Sequence, residues 1–277
     1  MPTSILGETI IAATLLRCEV GSGAHGVATS GQDDRDEMGI CLEPMPLAWT
    51  TEPPFEQYIY RTAAEREGRQ DAPSMPGDLD LTIYSLRKWV RLALAGNPTV
   101  ILPLFGTPLS MNAHGSRLRE MADAFASKQA IKKYLGYLAA QRERLNGTRG
   151  QKNVNRQNLV EKYGYDTKYA GHMVRLGYQG IEYAETGRLT LPMAEPMRSR
   201  ILDIRQGRVT QADATEECLD VESKLTALLV TSPLPSHPDT TRVNTWMQET
   251  YLTTWHSDYS DNLWRVLGYQ QNVPAGP

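Results

Sequence analysis

The chain of 277 residues is long enough for one large domain or two small ones, each with a core of its own. Hydrophobic residues make up 40% and charged residues 22%, ordinary globular usage that excludes a disordered or fibrous chain. A formal net charge of -3 excludes a surface that is basic overall, so any nucleic-acid contact has to rest on a local basic region.

The opening MPTSILGETIIAATLLRCEV has no basic segment ahead of its apolar run. It reaches Arg17 and Glu19 too soon for a signal peptide or a membrane span, which predicts a cytoplasmic protein with no membrane partner. Cys18, Cys41 and Cys218 lie far apart without a CxxC pair. They read as buried thiols in a reducing compartment rather than as zinc ligands.

Residues 4–12 read as a short amphipathic helix, followed by a strand over 14–20 with Leu16, Cys18 and Val20 on one face. That strand runs into GSGAHG, a glycine-rich turn, and a second strand is predicted over 34–42. The proline- and charge-rich stretch 43–76 reads as a long excursion with at most one short element near 55–60. Alternating DLDLTIY predicts a third strand over 78–84. Ser85 then caps a helix whose apolar residues Leu86, Trp89, Val90, Leu92 and Leu94 recur at helical spacing, with Gly96 as its stop. A short helix is expected over 99–105. Beyond residue 107 the signal is helical, with helices expected over 115–146, 166–186, 194–206, 211–230 and 238–253, and a polar loop over 148–158.

Chemistry concentrates between residues 20 and 40. Asp34 and Asp36 stand one residue apart on a strand, so their carboxylates project to the same face. Magnesium takes oxygen ligands, commonly one or two carboxylates plus substrate phosphates, and a carboxylate pair suits a two-metal phosphoryl-transfer site. Gly21 and Ser22 offer the other half, a backbone that a phosphate can approach closely and a hydroxyl to hold its oxygens. A third carboxylate comes from Asp78 or Asp80, which share a face. Asp80 is favoured because it lies deeper in the apolar strand, where an uncompensated carboxylate is costly.

His25 has two readings, a phosphate contact or a hydrogen bond to backbone that orients the turn. His172 and Arg175 lie one helical turn apart and so share a face. Between Arg142 and Arg175 eight basic residues face three acidic ones, with Tyr163, Tyr165 and Tyr169 interleaved. Such a stretch can follow an RNA backbone, hold a triphosphate or be a solvated helix face. Arg149, Lys152 and Arg156 are its candidate RNA-acceptor contacts.

The pattern GS-x-AHG followed by D-x-D-x-x-G resembles the signature of the DNA polymerase β-type nucleotidyltransferase superfamily. It is carried here by Gly21, Ser22, Ala24, His25, Gly26, Asp34, Asp36 and Gly39. The added D-x-x-x-YSLRKW and GNPT, with Asp80, Tyr84, Ser85, Leu86, Arg87, Lys88, Asn97 and Pro98, is similar to a bacterial and phage group of stand-alone nucleotidyltransferases. YAGHMVRLGYQGIEY, with His172 and Arg175, is similar to that group's second domain. The resemblance covers most of residues 14–190 and fades beyond. The sequence departs from the pattern at Arg35, where many relatives carry an apolar residue between the aspartates, and Arg35 is expected to point to the opposite face.

The resemblance implies an α+β fold, with a small mixed-sheet core and flanking helices over residues 1–110 and an α-helical second domain over 111–277 that closes the nucleotide cleft. It implies two Mg2+ ions and transfer of a nucleoside monophosphate from an NTP with release of pyrophosphate. In that scheme Asp34, Asp36 and Asp80 are the metal ligands and catalytic residues. Gly21, Ser22, His25, Lys168, His172 and Arg175 bind the nucleotide. The acceptor is open between an RNA end, a protein and a small molecule, as are the NTP and the oligomeric state. A non-catalytic nucleotide-binding or interaction module on the same scaffold is the alternative.

Overall fold

The computed structural model describes residues 4–29, 34–51, 53–148 and 156–260, with side chains to residue 256. Arg149 and Lys152 lie outside the described residues. The fold is α+β. Five strands form one mixed sheet: β1 (Thr14–Glu19), β2 (Arg35–Cys41), β3 (Gln57–Arg61), β4 (Leu79–Ser85) and β5 (Pro108–Met111). Their order is β3-β4-β2-β1-β5, with β2 and β4 parallel and every other pair antiparallel.

Period-2 alternation sorts the sheet's two faces. Leu16, Cys18, Val20, Met38 and Ile40 point into the large core, against Trp89 and Val90 of α5 (Leu86–Leu94). Leu81, Ile83 and Cys41 point the other way, against Ile10 of α1 (Ile5–Ala12) and Tyr60. Helix α5 starts where Ser85 accepts a hydrogen bond from the Lys88 amide, as its sequence predicts. Trp89 donates to the Val100 carbonyl at 2.9 Å and meets Phe125 edge-on, so its one polar group is satisfied inside the core.

The excursion over 43–76 holds more structure than expected. It contains α3 (Met45–Ala48), edge strand β3 and α4 (Thr62–Glu67). Helix α4 buries only Ala63 and Ala64 and ends on left-handed Gly68, too brief to leave a periodic trace. The helix expected over 99–105 is a single 3-10 turn at Leu102–Leu104, which carries Pro103. Strand β5 was not foreseen, because four residues headed by proline and mostly exposed carry no alternation.

Helices α6 (Ala113–Glu120), α7 (Lys128–Leu145), α8 (Gln157–Tyr163), α9 (Thr167–Thr186), α10 (Met197–Arg205), α11 (Gln211–Thr231) and α12 (Thr240–Ser260) complete the chain. Helix α9 lies at the centre of the helical half, packed by α7, α10 and α11. Gly177 permits the close approach of α11, since a Cβ there would lie 2.2 Å from Val221 Cγ2. The larger of the two buried apolar clusters runs through both halves, from Leu15 to Trp255.

Helix α12 returns to the N-terminal half. Its Tyr251 hydroxyl donates to Glu43 Oε1 at 2.9 Å and accepts from the Arg87 amide at 3.2 Å, and Trp255 Nε1 donates to the Glu43 carbonyl at 3.1 Å. The other Glu43 oxygen accepts from the Leu86 amide. Burial pushes the Glu43 carboxyl above its ordinary value. No helix among the described residues is long and apolar enough to cross a membrane.

Candidate active site

Asp34 immediately precedes β2, Asp36 lies within it, and Asp80 stands opposite Asp36 in the parallel register of β2 and β4. One carboxylate oxygen from each of the three lies within 4.8 Å of the others, and all three residues are half-buried. Strand β1 ends beside them, where the Val20 amide donates to the Asp36 carbonyl at 2.8 Å. The next residue, Gly21, has φ +70, and a Cβ there would lie 2.2 Å from Asp36 Oδ2. Only glycine can turn the chain this way so close to that carboxylate. The turn closes with the Val27 amide donating to the Ser22 carbonyl. The Ser22 hydroxyl takes no partner among the described residues.

Asp78 and Asp80, the two candidates for the third carboxylate, differ in their partners. Asp78 is gripped by both terminal nitrogens of Arg66, at 2.7 and 3.0 Å, and accepts from the Met75 amide. The Arg66 guanidinium holds its carboxyl below the ordinary value. Asp78 therefore pins its own turn, and Asp80 joins the two strand aspartates. Asp80 accepts from Arg61 Nε at 3.2 Å and from the Ser74 hydroxyl at 2.9–3.0 Å. Arg35, between the two aspartates, points to the opposite face as expected. There it joins Arg17 in neutralising the buried Glu37 carboxylate.

A cleft of about 600 Å³ runs between the two halves. Thr29, Ser74 and Pro76 line it from the sheet side, and Arg156, Lys162, Tyr163, Lys168 and Arg205 from the helical side. Four cations and no carboxylate line it among the described residues, so its wall favours an anion. Arg156 is steadied by Asp166 at 3.4 Å and lies over the Tyr169 ring. Ser74 belongs both to the cleft wall and to the Asp80 network.

His25 is tied down by hydrogen bonds as in the second of its two readings, but to side chains and not to backbone. Its ring is buried, with Nε2 2.7 Å from Arg175 and Nδ1 3.0 Å from the Gln179 amide nitrogen. The Met193 amide donates to its carbonyl at 3.1 Å. With both nitrogens turned to α9, the ring offers no edge to a phosphate, and it fastens the glycine turn to the helical half instead. Arg175 also donates to Gln179 Oε1. Burial draws Arg175 down to about 10 and holds His25 well below 6.5, helped in the second case by the Arg175 charge. His172 is likewise held well below 6.5, by burial first and then by Arg175. Lys168, His172 and Arg175 do share a stripe of α9, but among the three only Lys168 lines the cleft. Arg175 and His172 stand behind it.

Arg61, Ser74 and Arg205 were missed by sequence reasoning. Arg61 sits in a strand hidden by its proline-rich surroundings, and Arg205 ends a helix 22 residues past the end of the last recognised motif, at Tyr183. The three carboxylates form a set of hard oxygen donors on neighbouring strands beside an anion-attracting cleft, which fits a divalent cation shared with phosphate oxygens.

The sequence matches, over residues 8–249, the family described as RlaP, RNA repair pathway DNA polymerase beta family. Among solved structures, it is similar to a nucleotidyltransferase-like protein from Exiguobacterium sibiricum 255-15. Identity is 11% and the TM-score 0.30, over 83% of this chain and 73% of that one. No curated protein is matched.

Proposed function

Because the chain belongs to the RNA repair pathway DNA polymerase beta family, we propose that it is a metal-dependent nucleotidyltransferase that moves a nucleoside monophosphate from an NTP onto a hydroxyl of an RNA end. The observation that carries this reading is the meeting of Asp34, Asp36 and Asp80 beside a cleft walled by four cations.

In this reading Asp34, Asp36 and Asp80 hold Mg2+, which when bound neutralises and orients phosphate oxygens. The Gly21–Ser22 turn receives the outer phosphates through its backbone and the Ser22 hydroxyl. Lys168 and Arg205 neutralise the triphosphate and the pyrophosphate as it leaves. The acceptor oxygen bonds to the α-phosphorus, the α-phosphorus bond to pyrophosphate breaks, and the acceptor's proton passes to a carboxylate oxygen of Asp80. The family's association with RNA repair and the basic wall both favour RNA over a protein or a small-molecule acceptor. Arg149, Lys152 and Arg156 are the contacts proposed for it.

The test is incubation of the protein with each α-labelled NTP, Mg2+ and RNA fragments bearing defined ends, beside an Asp34→Ala/Asp36→Ala double variant. Nuclease-sensitive label on RNA, made only by the intact protein, is the expected result. Label recovered as free monophosphate would indicate water as acceptor and a phosphohydrolase. No label together with no NTP binding in calorimetry would leave only the non-catalytic scaffold.

A further inference from the structure

Arg61 is placed where a bound cation would least tolerate it. It stands opposite Asp80 in the β3–β4 register, and its three guanidinium nitrogens reach Asp80 Oδ2 at 3.2 Å, the Gln70 carbonyl at 2.7 Å and the Ser74 hydroxyl at 2.8 Å. Ser74 in turn donates to the Asp80 carboxylate. Both oxygens of Asp80 are thus engaged by neighbours, in a network that also forms part of the cleft wall.

A divalent cation bound to Asp80 at the usual ~2.1 Å would lie roughly 5 Å from the Arg61 guanidinium. Arg61 and Asp80 are each about three-quarters buried at the side chain, so solvent screens that pair only in part. A charge of two against a charge of one at such a range repels more strongly than the single hydrogen bond from Arg61 steadies the carboxylate. Before a cation binds, the same guanidinium would offset the mutual repulsion of three carboxylates. A metal–triphosphate complex carries net negative charge, so for it the Arg61 charge is no obstacle.

Resting on the nucleotidyltransferase reading above, we propose that Arg61 is a charge gate that withholds Asp80 from a free divalent cation and yields it to a cation arriving on a nucleoside triphosphate. Ser74 is the link, since it touches Arg61, Asp80 and the cleft that receives the triphosphate. Ordered loading of this kind keeps the site from being filled by metal alone.

The experiment is Mn2+ binding by electron paramagnetic resonance, alone and with an α,β-methylene NTP analogue, on the wild type, Arg61→Gln and Arg61→Lys. Arg61→Gln is expected to bind free Mn2+ at least about fivefold more tightly than the wild type, with the difference shrinking below about twofold once the analogue is present. Arg61→Lys, which keeps the charge and loses the fork, is expected to stay near the wild type. A gain in affinity cannot come from damage to the fold. Equal or weaker Mn2+ binding by Arg61→Gln would overturn the gate, as would Arg61→Lys binding as tightly as Arg61→Gln. If no protein takes up Mn2+ even with the analogue, the metal site itself falls, a distinct outcome from failure of the gate.

Discussion

Next to the sheet side of the cleft, linked to its wall through Ser74, three carboxylates come from neighbouring strands, two of them one residue apart. On the helical side the four cations come from three successive helices and the residue ahead of them, with Arg156 ahead of α8, Lys162 within it, Lys168 near the start of α9 and Arg205 at the end of α10. The sheet side is fixed by hydrogen-bonded register, which leaves the carboxylates little freedom. The helical side is fixed by packing, through α9 and the helices around it. On the proposed mechanism the chemistry that demands sub-ångström placement would sit on the stiffer element, and the charge that needs only proximity on the assembled one.

The sharpest way to break that comparison is to remove either side separately. Asp34→Ala or Asp36→Ala is expected to lower nucleotidyl transfer by about 10³-fold or more while leaving the thermal midpoint nearly unchanged, read by single-turnover kinetics and calorimetry. If they hold the triphosphate and its pyrophosphate leaving group as proposed, Lys168→Ala and Arg205→Ala should each raise the NTP KM about tenfold and lower kcat by no more than about tenfold. Equal losses in kcat on both sides would erase the distinction.

The seam between the two sides titrates. His25 and His172 are held neutral, with folded values well below the 6.5 of the unfolded chain. As pH falls below 6.5 the unfolded state gains protons that the folded state refuses. Stability is therefore full above that value and is lost downward at about 1.4 kcal/mol per pH unit for each histidine. Urea unfolding between pH 7 and pH 5 should show that slope, and His25→Asn should remove about half of it.

Smaller effects are expected away from the cleft. Tyr251→Phe removes the donor to Glu43 and the acceptor for the Arg87 amide, at a cost of about 1–2 kcal/mol by chemical denaturation. Arg69→Ala, whose pairs with Glu67 and Asp71 are exposed, should change stability by less than about 0.5 kcal/mol.

The carboxylate side was legible because strand periodicity is short-range. Asp34 and Asp36 at i and i+2, and Asp80 in an alternating run, declare their face without tertiary information. The Asp78 alternative needed Arg66, 12 residues upstream, to be dismissed. The helical side was legible only as a stripe. Lys168, His172 and Arg175 share a face of α9, but which of them reaches the cleft depends on how deeply the helix is sunk against α7 and α11. Arg205 reaches it only because α10 packs across α9. His25 was equally readable as a phosphate contact until α9 supplied its two partners.

Helix α12 has a consequence for how the molecule is made. Trp255 and Tyr251 fasten onto Glu43 across more than 200 residues of intervening chain. During synthesis the strands bearing the aspartates leave the ribosome long before the helix that latches behind them. The early intermediate keeps one Glu43 carboxylate oxygen, the Glu43 carbonyl and the Arg87 amide without their final partners. High contact order of this kind slows folding and ties completion of the N-terminal half to near-complete translation. A chain cut short before residue 251 would hold every aspartate of the site on an unlatched core.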